Sequence, residues 1–188
     1  MSKRTEILKK LKNSLDAERF EHSLRVEKIA IKLARNYGVP VKNASLAALL
    51  HDCARKYRRA ELLKQARELK LKIDPVQELE PKLLHAELSA RIAEKEFGIR
   101  SPEILKAIRR HTTGVPRMNL LEKIIYLADH LEEGRDFAGI KKVRAAAFCD
   151  LDQAIVESSS KTIKYLIKKG LPIYPGTVRT RNYYLIKA

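Results

Sequence analysis

At 188 residues and 45% hydrophobic content the chain suits one compact domain with a full core, and its composition excludes a disordered polypeptide. A net charge of +16 points towards polyanions, yet the lysines run along every predicted helix and the aromatics do not interleave with them, which disfavours a single-strand nucleic-acid platform. No apolar run is long enough to span a membrane, the opening Met-Ser-Lys-Arg-Thr-Glu is unlike a signal peptide, and Cys53 and Cys149 make no disulfide framework, so a cytoplasmic protein is expected.

Hydrophobic periodicity predicts helix nearly everywhere. After a charged amphipathic opening, Phe20, Leu24, Val26, Ile29, Ala30, Leu33, Ala34 and Tyr37 recur at three- and four-residue steps. They make Ala17–Tyr37 one long helix, ended by Gly38 and Pro40. Further helices are predicted at about Lys42–Asp52, Arg59–Leu71, Leu83–Phe97, Pro102–His111, Leu120–Glu132 and Leu151–Lys169. Ser101-Pro102 reads as an N-cap with proline in the first turn. No alternating pattern is long enough for a sheet, and only the tail leaves room for a short strand. The expected fold is all-α: a single-domain helical bundle spanning residues 1–188.

Four of the five histidines fall inside or at the ends of these helices. His22 lies on the long helix, and His51-Asp52 closes the next one after the apolar run Leu46–Leu50. His85 opens the helix after Pro81, and His111 ends the helix that begins at Pro102. Asp129 follows Ile124-Ile125-Tyr126-Leu127-Ala128, so an apolar stretch delivers a carboxylate towards the interior. A buried carboxylate without a partner is costly, and a metal or another cation resolves the cost. One such histidine alone is most simply a packed or surface residue; histidines and aspartates at the ends of successive helices are how bundles build metal sites.

The order His22, His51-Asp52, His85, His111, Asp129 resembles the HD-domain superfamily of metal-dependent phosphohydrolases. The local wording is closer still to the YqeK family, bacterial symmetrical bis(5′-nucleosyl)-tetraphosphatases that bind iron. The likeness is carried by Arg19 to Val26, Leu49 to Asp52, His111-Thr112-Thr113-Gly114, Leu121 to Asp129, and the tail from Gly170 to Tyr183. It implies a metal core at about residues 18–135, with a C-terminal helix and tail at 150–188 packed on it. His22, His51, Asp52 and Asp129 would hold one divalent ion; Asp52, bridging, with His85 and His111 would hold the second. A set of imidazoles and carboxylates without thiolate leans to iron, with manganese the other choice.

The implied reaction is symmetric cleavage of diadenosine tetraphosphate to two ADP by a metal-bound hydroxide, which Asp52 and Asp129 orient. Arg19, one turn before His22, and Arg135, in the turn after the Asp129 helix, would meet the phosphates; Thr112, Thr113 and Gly114 would receive phosphate oxygens. The tail Pro172, Ile173, Tyr174, Pro175, Gly176 and Thr177, with Tyr183 nearby, would line the nucleoside pocket, where plain packing is the alternative. A homodimer is entertained without a sequence signature.

Three positions depart from the family wording: Arg55 where a lysine is usual, His130 where a tyrosine is usual, and Glu133 in place of a proline. His130 is thereby a possible extra ligand, and Glu133 is expected to loosen the turn that aims Arg135. Two other classes stay open. A deoxynucleotidase or alarmone hydrolase of the HD type would share the centre, and a basic nucleic-acid-binding helical domain would bind generic polyanions and no metal.

Overall fold

A computed structural model describes residues 3–187, and every regular element among them is helical. In chain order these are α1 (Lys3–Ser14), α2 (Ala17–Asn36), α3 (Val41–Leu50), α4 (Arg59–Glu68), α5 (Pro75–Leu79) and α6 (His85–Lys95). They continue with α7 (Pro102–Arg110), α8 (Leu120–Leu131), α9 (Ile140–Cys149), α10 (Leu151–Lys168) and α11 (Pro175–Lys187). Short 3-10 turns at Cys53–Lys56 and Pro81–Leu84 complete the set.

Local chemistry explains the helix ends that matter for the site. Asp16 caps α2 by accepting from Arg19 N at 2.7 Å, and Gly38, at φ 68°, ends it in the left-handed region that glycine adopts freely. Ser101 caps α7 through Ile104 N, with Pro102 in the first turn as expected. Asn119 and Glu122 form a reciprocal capping box at the start of α8. Glu122 is itself buried and takes two hydrogen bonds from Arg110, at 2.8 and 2.9 Å, which satisfies its charge.

Helix α3 sits at the centre. Every residue from Ala44 to Leu50 is buried, the all-round apolar character of a helix enclosed by others. It packs on α2, α7 and α8, while α8 also packs on α2, α7 and α10. Burying each Leu or Ile here contributes about 1.5–3 kcal/mol, enough to fix the rotation of α3 and α8 about their axes. That rotation decides where His51 and Asp129 point.

Two regions in the C-terminal half differ from the sequence expectation. Residues 133–150, predicted without an element, contain α9, whose Ile140, Val143 and Ala147 form a buried stripe after Gly139 at φ 83°. Among the described residues the tail forms no strand: from Pro175 it is α11, with Gly176, Thr177, Thr180 and Tyr184 buried at helical spacing. The β-branched and aromatic residues that suggested a strand there are held helical by packing on α10. Glycine at 176 is required because a Cβ would meet the Tyr174 ring at 2.6 Å.

Candidate metal centre

Five helices bring six side chains to one place. His22 comes from the second turn of α2, His51 from the C-cap of α3, Asp52 from just beyond it, His85 from the first residue of α6, His111 from the C-cap of α7, and Asp129 from the last turn of α8. All four histidines and Asp52 are buried; Asp129 keeps some exposure.

The imidazoles are oriented by the backbone. His51 Nδ1 lies 2.6 Å from the Ala48 carbonyl oxygen, His111 Nδ1 2.7 Å from that of Ile108, and His85 Nδ1 bonds that of Lys82. A carbonyl only accepts, so each Nδ1 carries a proton and each ring directs Nε2 to the interior. His22 is oriented by a carboxylate instead, with Nδ1 3.3 Å from Glu132 Oε1. Such partners on the far nitrogen are characteristic of metal-ligating histidines.

Asp52 stands between the two halves of the cluster. Its Oδ1 faces His85 Nε2 at 3.0 Å and His111 Nε2 at 3.7 Å. Its Oδ2 faces His51 Nε2 at 3.7 Å, His22 Nε2 at 3.8 Å and the Arg19 guanidinium at 2.8 Å. Asp129 Oδ1 lies 3.1 Å from His22 Nε2 and 3.9 Å from His51 Nε2.

The donor set fits cations. Nε2 of His22 and of His51 is buried and makes no hydrogen bond; the 3.1 Å approach of His22 to Asp129 lacks hydrogen-bond geometry. Nε2 of His85 and of His111 meet at 3.0 Å, two lone pairs converging on one point. Ligand atoms of His22, His51 and Asp129, and separately of His51, Asp52 and His111, lie within 4.8 Å of one another. Buried lone pairs directed at each other are costly unless a cation lies between them.

The electrostatics agree. Burial pushes the His51 imidazole down to about 4, so it stays neutral. Burial would raise the Asp52 carboxyl, but His51, His85 and His111 hold it well below the usual carboxylate range. Asp129 is likewise lowered against its burial, by the His22 contact and the neighbouring imidazoles. His111, despite burial, is raised by Asp52. Two ionised carboxylates beside the neutral His51 imidazole make a pit of negative potential.

The residues expected on the substrate side divide into those at the mouth and those away from it. Arg19 is on Asp52, and Arg135 is on Asp129, with Nη2 2.8 Å from Oδ1 and Nε 3.1 Å from the carbonyl oxygen. Thr112 Oγ1 is 3.1 Å from His111 Nε2 and 3.2 Å from His85 Nε2. The start of α11 covers the turn that follows: a Cβ on Gly176 would lie 3.8 Å from Thr113 Oγ1, and one on Gly114 would collide with Thr180 Cγ2 at 2.7 Å. Pro172, Ile173 and Tyr174 are half-buried at this junction, Pro175 is exposed, and Thr177 is buried. Tyr183 lies two turns further along and packs edge-on against Tyr184, whose hydroxyl takes the Met118 N–H at 2.8 Å. Nothing among the described residues ties Tyr183 to the centre.

The three departures resolve differently. Arg55 lines a cation-rich cavity with Arg19, Tyr57, Arg58, Arg59 and Lys82. His130 joins neither convergent group of ligand atoms; its Nδ1 is 2.8 Å from the Tyr126 carbonyl oxygen and its ring leans on the Tyr126 ring. Glu133 does not loosen the turn after α8. It pairs with Lys28, while Arg144 donates to the carbonyl oxygens of Leu131, Glu132 and Arg135 and holds the turn shut.

Glu132 is the residue that sequence reasoning missed. It is buried and binds His22 Nδ1, Arg25 Nε at 2.5 Å and Gly134 N at 2.6 Å, and Gly134 passes so close to Arg25 that a Cβ would lie 2.9 Å from its guanidinium. Gly134 two residues after Glu132 was its only local signal.

Comparison with known proteins agrees with this geometry. The HD domain family matches residues 19–134, a span that includes all six side chains. The chain is 42% identical to a symmetrical bis(5′-nucleosyl)-tetraphosphatase of Halalkalibacterium halodurans, covering 98% of both chains. It is 39% identical to the protein of the same name from Bacillus subtilis, covering 96% of each. A crystal structure of an HD superfamily hydrolase of Clostridium acetobutylicum, described as involved in NAD metabolism, superposes with a TM-score of 0.94 at 37% identity, covering 98% of this chain and 97% of the other.

Proposed function

This chain belongs to the HD-domain family of hydrolases, alongside the symmetrical bis(5′-nucleosyl)-tetraphosphatases, and on that footing we propose that it cleaves diadenosine tetraphosphate at the middle of its phosphate chain to give two ADP. The observation that carries the reading is Asp52, whose two oxygens face two different sets of imidazoles. His22, His51, Asp52 and Asp129 would hold one ion, and Asp52, His85 and His111 the other. Imidazole with carboxylate and no thiolate favours iron, or manganese. Two such ions supply a nucleophile from water at neutral pH and neutralise charge on attacked and leaving oxygens.

The chain's own residues do the positioning. Asp129 Oδ1, at the exposed edge of the cluster, orients the attacking water. Arg19 and Arg135 stand on opposite carboxylates, Asp52 and Asp129, so a phosphate chain lying across the centre meets a guanidinium at each end. Thr112 Oγ1 meets a non-bridging oxygen on the His85–His111 side, where the Thr113–Gly114 turn forms the adjoining wall. The start of α11, Pro172 to Thr177, walls the space where one nucleoside sits. Burial of the imidazoles keeps competing water from their lone pairs.

The test is direct. The chain, purified without added metal or chelator, is analysed for bound metal and assayed for ADP release from diadenosine tetraphosphate, beside a His51→Ala Asp52→Ala variant. The expected result is two ions per chain and two ADP per substrate, both lost in the variant. Metal without ADP release moves the search to other phosphoesters. No metal after reconstitution with Fe(II) or Mn(II) ends the enzyme reading.

A further inference from the structure

A cut at the middle of a symmetric dinucleotide requires each nucleoside diphosphate half to leave the centre in its own direction. The Thr112–Gly114 turn and the start of α11 account for one half. We propose that the nucleoside of the second half lies in the cavity between the end of α8 and the face of α10, with its base against Phe137 and Tyr165. This inference rests on the dinucleotide reading of the centre.

The cavity measures about 550 Å³, within the range of pockets that take small ligands, and is lined by His130, Arg135, Phe137, Lys161, Thr162 and Tyr165 among others. It adjoins the centre, because Arg135 in its wall is the residue bonded to Asp129, and His130, also in its wall, is the next residue along α8. Phosphates over the centre and a base in this cavity therefore share one guanidinium.

Its chemistry suits a nucleoside better than an inorganic anion. Phe137 and Tyr165 both line the cavity, and Tyr165 is 57% exposed. A base stacks on such rings whatever its edge pattern. Lys161 is held over the Phe137 ring, 5.7 Å from its centroid, by a 2.6 Å bond to the Ala138 carbonyl oxygen. That position depends on glycine at 139, where φ is 83° and a Cβ would lie 2.9 Å from Lys161 Nζ. The cation thus shares the cavity wall with Arg135, and the two can take phosphates next to the ribose. Ser158 Oγ, buried in the same wall near the Tyr126 hydroxyl, lacks a well-formed hydrogen bond. Another cavity beside Arg19, about 350 Å³, is lined by Arg19, Arg55, Arg58, Arg59 and Lys82 together with Asp16, Tyr57 and Leu62, so five cations dominate it and it suits phosphate better than a base.

The test is a calorimetric titration of the metal-loaded full chain with ADP. The wild type should bind two ADP, the Lys161→Ala Tyr165→Ala variant one, and the Arg58→Ala Lys82→Ala variant two. In kinetics, the KM for diadenosine tetraphosphate should rise about tenfold or more in the Lys161→Ala Tyr165→Ala variant, as for loss of a stacked base. The KM for adenosine 5′-tetraphosphate, which has four phosphates and a single nucleoside, should stay unchanged. Tyr165→Ala alone, at an exposed position, should show the same split and carries no folding risk. A single ADP on the wild type, two retained by the Lys161→Ala Tyr165→Ala variant, or loss of the second ADP in the Arg58→Ala Lys82→Ala variant would each overturn the proposal. Should the wild type cleave neither compound, the dinucleotide reading fails, and the ADP stoichiometry still decides whether this cavity is a nucleotide site.

Discussion

Helix α3, which ends at His51, and helix α10, which faces the mouth of the centre, hold their functional side chains in different ways. On α3 seven consecutive residues are buried, and the imidazole at its end is tied to its own backbone through Nδ1. On α10 the aromatic residue that lines the cavity, Tyr165, is largely exposed and keeps rotamer freedom. A metal site tolerates little misplacement, so its ligands stand on elements whose rotation the core fixes. A nucleotide varies in pose, so groups that meet it stand where they can adjust. Changes on the inner side should therefore abolish binding or folding, and changes on the outer side should tune affinity.

The largest expected effect tests the shared carboxylate. Asp52→Asn should take hydrolysis to background and remove both ions, because one side chain faces both sets of imidazoles. Elemental analysis that finds one ion retained would break the bridging assignment while leaving the rest of the centre standing.

Next comes Glu132, which has no place in the ligand set and acts through His22. Glu132→Gln should weaken metal binding by about 10–100-fold, the usual cost of removing the partner of a metal-ligating histidine. It should also lower stability by about 2 kcal/mol at neutral pH through the lost Arg25 bond, roughly 4–8 °C in Tm. Burial raises the Glu132 carboxyl, yet Arg25, Gly134 N and His22 together hold it below its ordinary value of 4.5. Its contribution is thus fully present above about pH 4.5 and is lost as pH falls through the lower, folded value. The wild-type and Glu132→Gln melting curves of the metal-free chain should converge in acid; a gap that persists there would show that packing, and not the charge, matters at this position.

On the outer side, Gly114→Ala places a methyl group 2.7 Å from Thr180 Cγ2 at a backbone φ of 62°. The expected cost is about 1–3 kcal/mol, with a raised KM as α11 shifts off the Thr113 turn and kcat little changed. Thr180→Ser removes the colliding methyl and should restore part of both; no relief in the double variant would place the whole cost in the backbone angle.

The smallest effect separates inside from outside without touching activity. Burial pushes the Cys53 thiol up to about 12, whereas Cys149 is exposed. A thiol reagent at pH 8 should modify one cysteine per folded chain and both after unfolding. Rapid modification of Cys53 in the folded chain would mean that the wall beside Asp52 opens on the timescale of labelling.

Much of the inner side was legible in the sequence. The apolar runs before His51-Asp52 and Asp129, the Ser101-Pro102 start and the Gly38 stop are set by neighbours three or four residues away, so they specify α2, α3, α7 and α8 in outline. The six ligand candidates followed from the same runs together with the family resemblance. The outer side was not legible in this way. Helices α9 and α11 carry weaker stripes, and α11 is helical because it packs on α10.

By itself the sequence determined which helices carry the candidate ligands and which residue types stand at their ends, since caps, breaks and periodicity are local. Only the tertiary structure decided that Asp52 divides its two oxygens between two sets of imidazoles. It likewise singled out Glu132, one of 23 acidic residues, to brace His22 across 110 positions of chain. It also left a cavity beside Arg135 that joins residues of α8 and α10. These depend on which side chains meet after the core has fixed the rotation of each helix, and no pattern of near neighbours encodes that.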